Sequence, residues 1–258
     1  MPRSAMDLVN EPLWSDADVV REYEEVRDIQ VPEAQFFARY ADLIRDRRVL
    51  DLGCGGGRTA RALGPLSSGY LGTDLSPAMV ASASRRFPGI RFEQLDARDM
   101  SRHGSASFDF ALFSYNGIDS LDHEGRLSAL AEVRRVLKPG GIFVFSSHNR
   151  RFPYMKPQPM WCRNPITLLK NAVMFSVHSR RWNRLRRLEV RTDEYEIRSD
   201  PAHEFRFISY YIDKESQVRQ AARCGLRIAE MVEPGGRVLR AGDEDAGACW
   251  IYYAAEAV

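Results

Sequence analysis

Apolar residues change their period several times along the chain, and each change predicts an element. Up to about Arg47 they recur at helical spacing, with Val19, Val20, Tyr23 and Val26, then Phe36, Phe37, Tyr40, Leu43 and Ile44. Pro32 separates these two helices, because proline suits a first turn and breaks an interior. From Arg48 onward short apolar runs alternate with helical stretches. Arg48–Leu52, Tyr70–Thr73, Ile90–Gln94, Phe108–Phe113 and Ile142–Ser146 read as strands, and Arg58–Leu63, Pro77–Arg86 and Gly125–Leu137 as helices. Such alternation without hairpin signals implies right-handed crossovers and a parallel sheet covered on both faces.

Between Asn149 and Tyr211 the alternation stops. Asn164-Pro165 opens a helix through Leu168, Leu169, Ala172, Val173 and Phe175. Two alternating runs, Glu189–Arg198 and His203–Tyr211, flank Ser199-Asp200-Pro201-Ala202 and read as an antiparallel pair. The α/β pattern then resumes, with a helix over Asp213–Cys224 closed by Gly225 and two last strands, Leu226–Val232 and Cys249–Ala255. The expected organisation is an N-terminal helical segment (1–47) packing on a core built from 48–148 and 212–258, with an inserted basic cap at 149–211.

At 258 residues, 44% hydrophobic and 28% charged, the chain has the make-up of a globular protein with one large core, which excludes wholesale disorder. It has no apolar run of about 18 residues and no apolar signal segment after Met1, so the expected location is cytoplasmic. Cys54, Cys162, Cys224 and Cys249 lie far apart and form no metal-ligand pattern; no metal is expected. The net charge of +2 hides an asymmetry. Between Arg150 and Arg191 eleven Lys or Arg stand against the single acid Glu189, leaving an acidic remainder. That segment reads first as a solvated face. As a functional feature it favours an anionic or phosphate-bearing acceptor. Peripheral contact with an anionic membrane is a further reading, since Trp161, Phe175 and Trp182 flank the bases. Nucleic acid is disfavoured, because no RNA-binding module accompanies the bases.

The richest chemistry lies in Val49-Leu50-Asp51-Leu52-Gly53-Cys54-Gly55-Gly56-Gly57-Arg58, a buried strand running into a glycine turn and a helix. Glycines there allow positive φ and close approach of a ligand to the backbone. Alone, Gly55-x-Gly57-x-x-Ala60 also mimics a dinucleotide fingerprint. Asp74 ends the second strand, where a carboxylate can accept both ribose hydroxyls of an adenosine. Asp96 ends the third, within reach of an adenine amino group, and Leu137-Lys138-Pro139-Gly140-Gly141 makes a tight turn before the fifth. Acids at successive carboxyl ends of parallel strands fit the rule for ligand crevices in open sheets.

With these residues in place the chain resembles the class I S-adenosylmethionine-dependent methyltransferases over about residues 35–147 and the C-terminal strands. The resemblance implies a Rossmann-like α/β fold: a seven-stranded, mostly parallel sheet with an antiparallel C-terminal strand, here with an inserted α+β cap. It also implies S-adenosyl-L-methionine as methyl donor and S-adenosyl-L-homocysteine as product. Asp51 and the Gly53, Cys54, Gly55, Gly57 turn would contact the methionine portion. Asp74 would hold the ribose with Leu75 and Met79 nearby. Asp96 and Ala97 would bracket the adenine, and Phe113, Ser114 and Tyr115 would lie beneath the sulfonium.

The acceptor side is less determined. Ser114-Tyr115-Asn116-Gly117 lacks the Asn/Asp-Pro-Pro-Tyr/Phe sequence with which some relatives methylate planar nitrogens, which favours a small-molecule or carrier-linked acceptor methylated on oxygen or an amine. The fifth strand ends Ser146-Ser147-His148-Asn149, so His148 is the candidate general base, with Tyr115 as a second catalytic candidate. Asn116, Asn149, Arg206 and Tyr210, with Tyr211, are expected on the acceptor side. Methyl transfer gains much from positioning alone, so the base is not obligatory.

Overall fold

The structure, a computed structural model, describes residues 3–258. Three helices precede the sheet: α1 (Ala5–Trp14), α2 (Ala17–Glu25) and α3 (Val31–Arg39). Each start is encoded locally. The Ser4 hydroxyl accepts from the Asp7 amide while the Asp7 carboxylate accepts from the Ser4 amide, and the Asp16 carboxylate caps α2 by accepting from the Asp18 and Val19 amides. Pro32 sits in the first turn of α3. The sequence predicts two helices here. The additional one, α1, carries polar Asn10 and Pro12 among its apolar positions, which obscures its period.

There follow β1 (Arg48–Leu52), α4 (Ala60–Leu63), β2 (Gly69–Asp74), α5 (Pro77–Arg86), β3 (Arg91–Gln94) and β4 (Phe108–Phe113). Next come α6 (His123–Val136), β5 (Leu137–Asn149), α7 (Pro165–Leu185), β6 (Val190–Arg191), β7 (Tyr195–Asp200) and β8 (Phe207–Ile212). The chain ends with α8 (Lys214–Arg223), β9 (Leu226–Val232), β10 (Val238–Leu239) and β11 (Trp250–Ala257). The main path of the sheet runs β10-β9-β11-β5-β4-β1-β2-β3. Strands β1 to β5 pair in parallel, and β11 is antiparallel to both β5 and β9. Because β2 lies on one side of β1 and β4 on the other, the strand order reverses there and a crevice opens at the carboxyl ends.

The sheet has eleven strands rather than the expected seven. Seven of them, β3-β2-β1-β4-β5-β11-β9, form the expected set, and β10 adds a short hairpin to β9. The other three come from the inserted segment, and the cause is the length of β5. Its last residues His148 and Asn149 pair in parallel with Tyr211 and Ile212 of β8, which pairs antiparallel with β7.

Residues alternate between two cores, one on each face. Leu50, Ala111, Phe143 and Phe145 pack with Leu130 and Val133 of α6. On the other face Val49, Phe110, Val144 and Tyr252 pack with Phe36 of α3 and Leu63 of α4. No helix among the described residues is long and apolar enough to cross a membrane.

Candidate active site

The turn after β1 holds the chain close to whatever occupies the crevice. Gly53 and Gly55 have φ of +58° and +53°, and a Cβ on Gly53 would lie 2.6 Å from the Phe113 ring. The Gly55 amide donates to Asp74 Oδ2 at 3.0 Å and the Ser76 amide to Oδ1 at 2.9 Å, so the carboxylate ending β2 is pinned beside the glycine turn. Burial pushes the Asp74 carboxyl up to about 6 against the pull of these amides. Asp96 is held by Arg98, whose guanidinium also reaches both oxygens of Asp7 at 2.8 and 2.9 Å and so ties α1 to the crevice.

Together these elements bound a cavity of about 410 Å³. It brings together Gly53, Gly55, Asp74, Leu75, Met79, Asp96, Ala97, Phe113, Ser114, Tyr115, Asn116 and His148. An aromatic wall closes it from outside the sheet. Trp14 and Tyr23 come from the N-terminal helices and His203 and Phe207 from the inserted segment, with ring centroids between 5.6 and 6.2 Å along the cluster. Asp51 and Cys54 line a small adjoining cavity of about 30 Å³ instead. Asp51 is fully buried and accepts from the Thr59 and Tyr70 hydroxyls; burial raises it to about 6 against those bonds. Burial likewise pushes the Cys54 thiol up, so it stays protonated. Gly57 lies farther round the turn, on a third cavity with Arg58.

At the other end of the main cavity, His148 Nδ1 lies 2.8 Å from Oδ2 of Asp119, a fully buried carboxylate that also accepts from the His148 amide at 2.7 Å. Asp119 in turn accepts from Arg126, itself fully buried, and from the Ser147 hydroxyl. The Nδ1–H donated to Asp119 leaves Nε2 as the acceptor, 3.3 Å from Asn116 Nδ2 and 3.8 Å from Asp200 Oδ2. Burial lowers the imidazole pKa and Arg126 adds to that. The hydrogen bond and charge of Asp119, with the charge of Asp200, outweigh both and raise it above 6.5. Asn116 Oδ1 is buried and has no hydrogen-bond partner. Both Tyr115 and Asn116 have left-handed φ, near +55° and +58°, a strained conformation for the tyrosine that turns this pair toward the cavity.

Residues 49–141 match a family model described as a methyltransferase domain. The chain is 37% identical over 115 residues to a trans-aconitate 2-methyltransferase from Methylobacterium nodulans, covering 44% of this chain and 42% of that one. It is 25% identical over 136 residues to a ubiquinone biosynthesis O-methyltransferase from Histophilus somni, covering 51% and 57%. The chain thus spans about half or less of these curated relatives. Among solved structures, the CcbJ methyltransferase from Streptomyces caelestis superposes with a TM-score of 0.62 at 18% identity, over 95% of this chain and 98% of that one. An S-adenosylmethionine-dependent methyltransferase from Mesorhizobium loti gives 0.57 at 23%, over 86% and 97%, so the likeness of fold extends well beyond the matched segment. Residues 49–141 thus match a methyltransferase domain, within a fold shared with S-adenosylmethionine-dependent methyltransferases.

Four expected acceptor-side residues of the chain, Asn149, Arg206, Tyr210 and Tyr211, are not among those lining the main cavity, and Tyr211 is buried with its hydroxyl donating to Asp200. Asn149 is fully buried, and its amide nitrogen donates to the Asp245 and Ala248 carbonyls, which fastens the loop before β11. Tyr210 faces the opposite side of β8, under Arg126 and bonded to His123 and Gln220. Arg206 pairs with Asp16 of the N-terminal segment. No Lys or Arg lines the cavity among the described residues; its charged walls are Glu22, Asp74 and Asp96. The basic segment therefore contributes no cation there. Sequence reasoning missed Asp119, which sits in an irregular turn (Gly117–Ser120) after β4 where no period marks it. It also missed the buried pair Arg58–Glu33, which reaches the Ser114 hydroxyl beside the glycine turn. The Glu33 carboxylate accepting the Gln30 amide was the one local signal available.

Proposed function

We propose that the chain transfers the methyl group of S-adenosylmethionine to a hydroxyl of a small, uncharged acceptor, with His148 as general base. The observation that carries this reading is the Asp119–His148 pair opening onto the same cavity as the Gly53–Gly55 turn and Asp74. The donor supplies an electrophilic methyl on a sulfonium when bound. The residues present suit that molecule. The glycine turn takes left-handed φ and packs too closely on Phe113 and Tyr23 for a Cβ, Asp74 keeps lone pairs for ribose hydroxyls, and Asp96 with Ala97 borders the adenine end. Ser114 and Tyr115 stand between the two ends.

On the acceptor side His148 Nε2 takes the hydroxyl proton, and Asp119 fixes its tautomer and offsets the imidazolium charge that forms. The unpaired Asn116 Oδ1 is available to hold a second donor of the acceptor. The acid-lined walls, without a cation among the described residues, disfavour a polyanionic or phosphate-bearing acceptor. The names of the relatives support a small-molecule acceptor. In this reading 1–47 and 149–211 together close the cavity, since Trp14, Tyr23, His203 and Phe207 come from them. The reading places the enzyme in the cytoplasm, in keeping with four unpaired cysteines.

Isothermal titration with S-adenosylmethionine and S-adenosylhomocysteine, with NAD as control, tests the donor site. Labelled methyl transfer to a panel of phenolic and aliphatic alcohols tests the rest. Micromolar adenosyl binding, and a fall in kcat of about 10²–10⁴-fold in His148→Gln with donor affinity unchanged, are expected. Absence of adenosyl binding removes the donor assignment, and an unaltered kcat removes His148.

A further inference from the structure

Helix α7 has 21 residues, of which only Leu185 is buried. Its body-facing side is Leu168, Phe175, Trp182 and buried Leu185, spaced seven, seven and three apart, and the Trp182 indole donates to the Tyr154 hydroxyl at 2.7 Å. The opposite side carries Ile166, Leu169 and Val173, which are 68, 68 and 54% exposed. Directly before it Met160 and Trp161 are 70 and 83% exposed, and Asn171 holds the Met160 carbonyl at 3.0 Å. Continuing along the outward side, the apolar stripe gives way to Arg180, Arg184 and Arg187. From Lys156 to Arg187 there is no acid in the sequence. Among the described residues only Arg181 of the eight bases there pairs with one, Glu204.

We propose that this outward face docks on an anionic phospholipid surface, with Met160, Trp161, Ile166, Leu169 and Val173 entering the headgroup–acyl boundary and the adjoining bases meeting the lipid phosphates. Large apolar side chains left in water on one stripe need an apolar partner. The unpaired bases beside them require that partner to be anionic. A second copy of the chain would bring like charge against like charge. A nucleic acid would satisfy the bases but leave the apolar stripe in water. The inference stands on α7 alone and is independent of the acceptor and of the methyl-transfer reading.

Co-sedimentation of the full chain with vesicles of phosphatidylglycerol and phosphatidylcholine, against phosphatidylcholine alone, is the test. Binding to the anionic vesicles only is expected, with a blue shift of tryptophan emission that Trp161→Ala abolishes. Ile166→Glu with Leu169→Glu should lower the partition at least tenfold, and each of Lys170→Glu and Arg180→Glu roughly fivefold or more. Leu66→Glu, at an exposed apolar position elsewhere, should leave it unchanged. These exposed side chains support no core, so melting curves should match the parent. Three results overturn the proposal: no binding to anionic vesicles, binding indifferent to Ile166→Glu/Leu169→Glu, or lipid-free dimers that this double variant dissociates. Tight RNA binding lost in Arg180→Glu but kept in the apolar double variant overturns it as well.

Discussion

Replacing Asp119 by Asn keeps the shape of the site and removes one charge, and the consequences can be worked from its neighbours. Arg126 is fully buried, and its other N–H groups meet only the neutral oxygens of Gln217, Gln220 and Ser147. The substitution therefore leaves a guanidinium in the core with no counter-charge, at a cost of about 3–5 kcal/mol. For a chain of this size roughly 2–4 °C per kcal/mol converts that to a fall in Tm of about 6–20 °C. Adding Arg126→Met removes the stranded cation, and the double variant should regain a large part of the loss. A second effect concerns pH. The native imidazole pKa is raised above 6.5, so His148 contributes stability that is fully present below pH 6.5 and lost as pH rises through its folded value. Activity runs the opposite way across that window, because the base must be neutral. In Asp119→Asn only the charge of Asp200 still opposes burial and Arg126, so the acidic limb of kcat/KM should move to lower pH while the stability slope flattens. Scanning calorimetry from pH 5.5 to 8 and a pH–rate profile read both effects. A variant melting within about 2 °C of the parent, or one whose acidic limb does not move, refutes the reasoning.

Gly53→Ala places a Cβ 2.6 Å from the Phe113 ring at a left-handed φ, so it should abolish measurable S-adenosylhomocysteine binding by titration; retained affinity would show that the turn does not contact the ligand. Asp74→Ala should weaken the same binding by about 1–3 kcal/mol, from lost charge-assisted hydrogen bonds. Because the native carboxyl titrates near 6, affinity of the parent should fall as pH drops through that value, and a pH-independent affinity would count against its role. Among the described residues no group of three or more His, Cys, Asp or Glu is arranged to hold a metal ion, and transfer should survive EDTA; loss restored by Mg²⁺ would overturn that expectation.

Local period and turn chemistry made much of the core readable in advance. The strand over Phe108–Phe113 and the helix over Pro77–Arg86 have the bounds that their patterns predict, because each is set by burial on the sheet or by a Ser76 cap and a first-turn proline. The glycine turn, Asp74 ending β2 and Asp96 just after β3 could be placed together in advance because the carboxyl ends of parallel strands share one edge of the sheet. Asp119 and Glu33 could not. Each acquires its role from partners distant in sequence, Asp119 from His148 and Glu33 from Arg58, and no periodicity encodes such meetings. Tyr210 failed for a related reason. Alternation placed it on a strand without saying which face met the cavity, and one residue of register sends a side chain to the other side.

The thirteen residues of β5 have a mechanical consequence. By pairing His148 and Asn149 with β8, they weld the inserted segment to the most central part of the sheet. A flap attached in this way cannot swing as a door without breaking ladder bonds, so it acts as a fixed jamb that also holds the imidazole in place. The hinge must then lie on the opposite side of the opening. There polar ties of α1 and α2 include Asp7 to Arg98, Asn10 to the β8 backbone, Asp16 to Arg206 and Glu24 to Ser82, bonds that can open while the sheet stays intact. Amide exchange should accordingly be slow across Phe207–Ile212 and faster across Ala5–Glu25, with ligand slowing only the second.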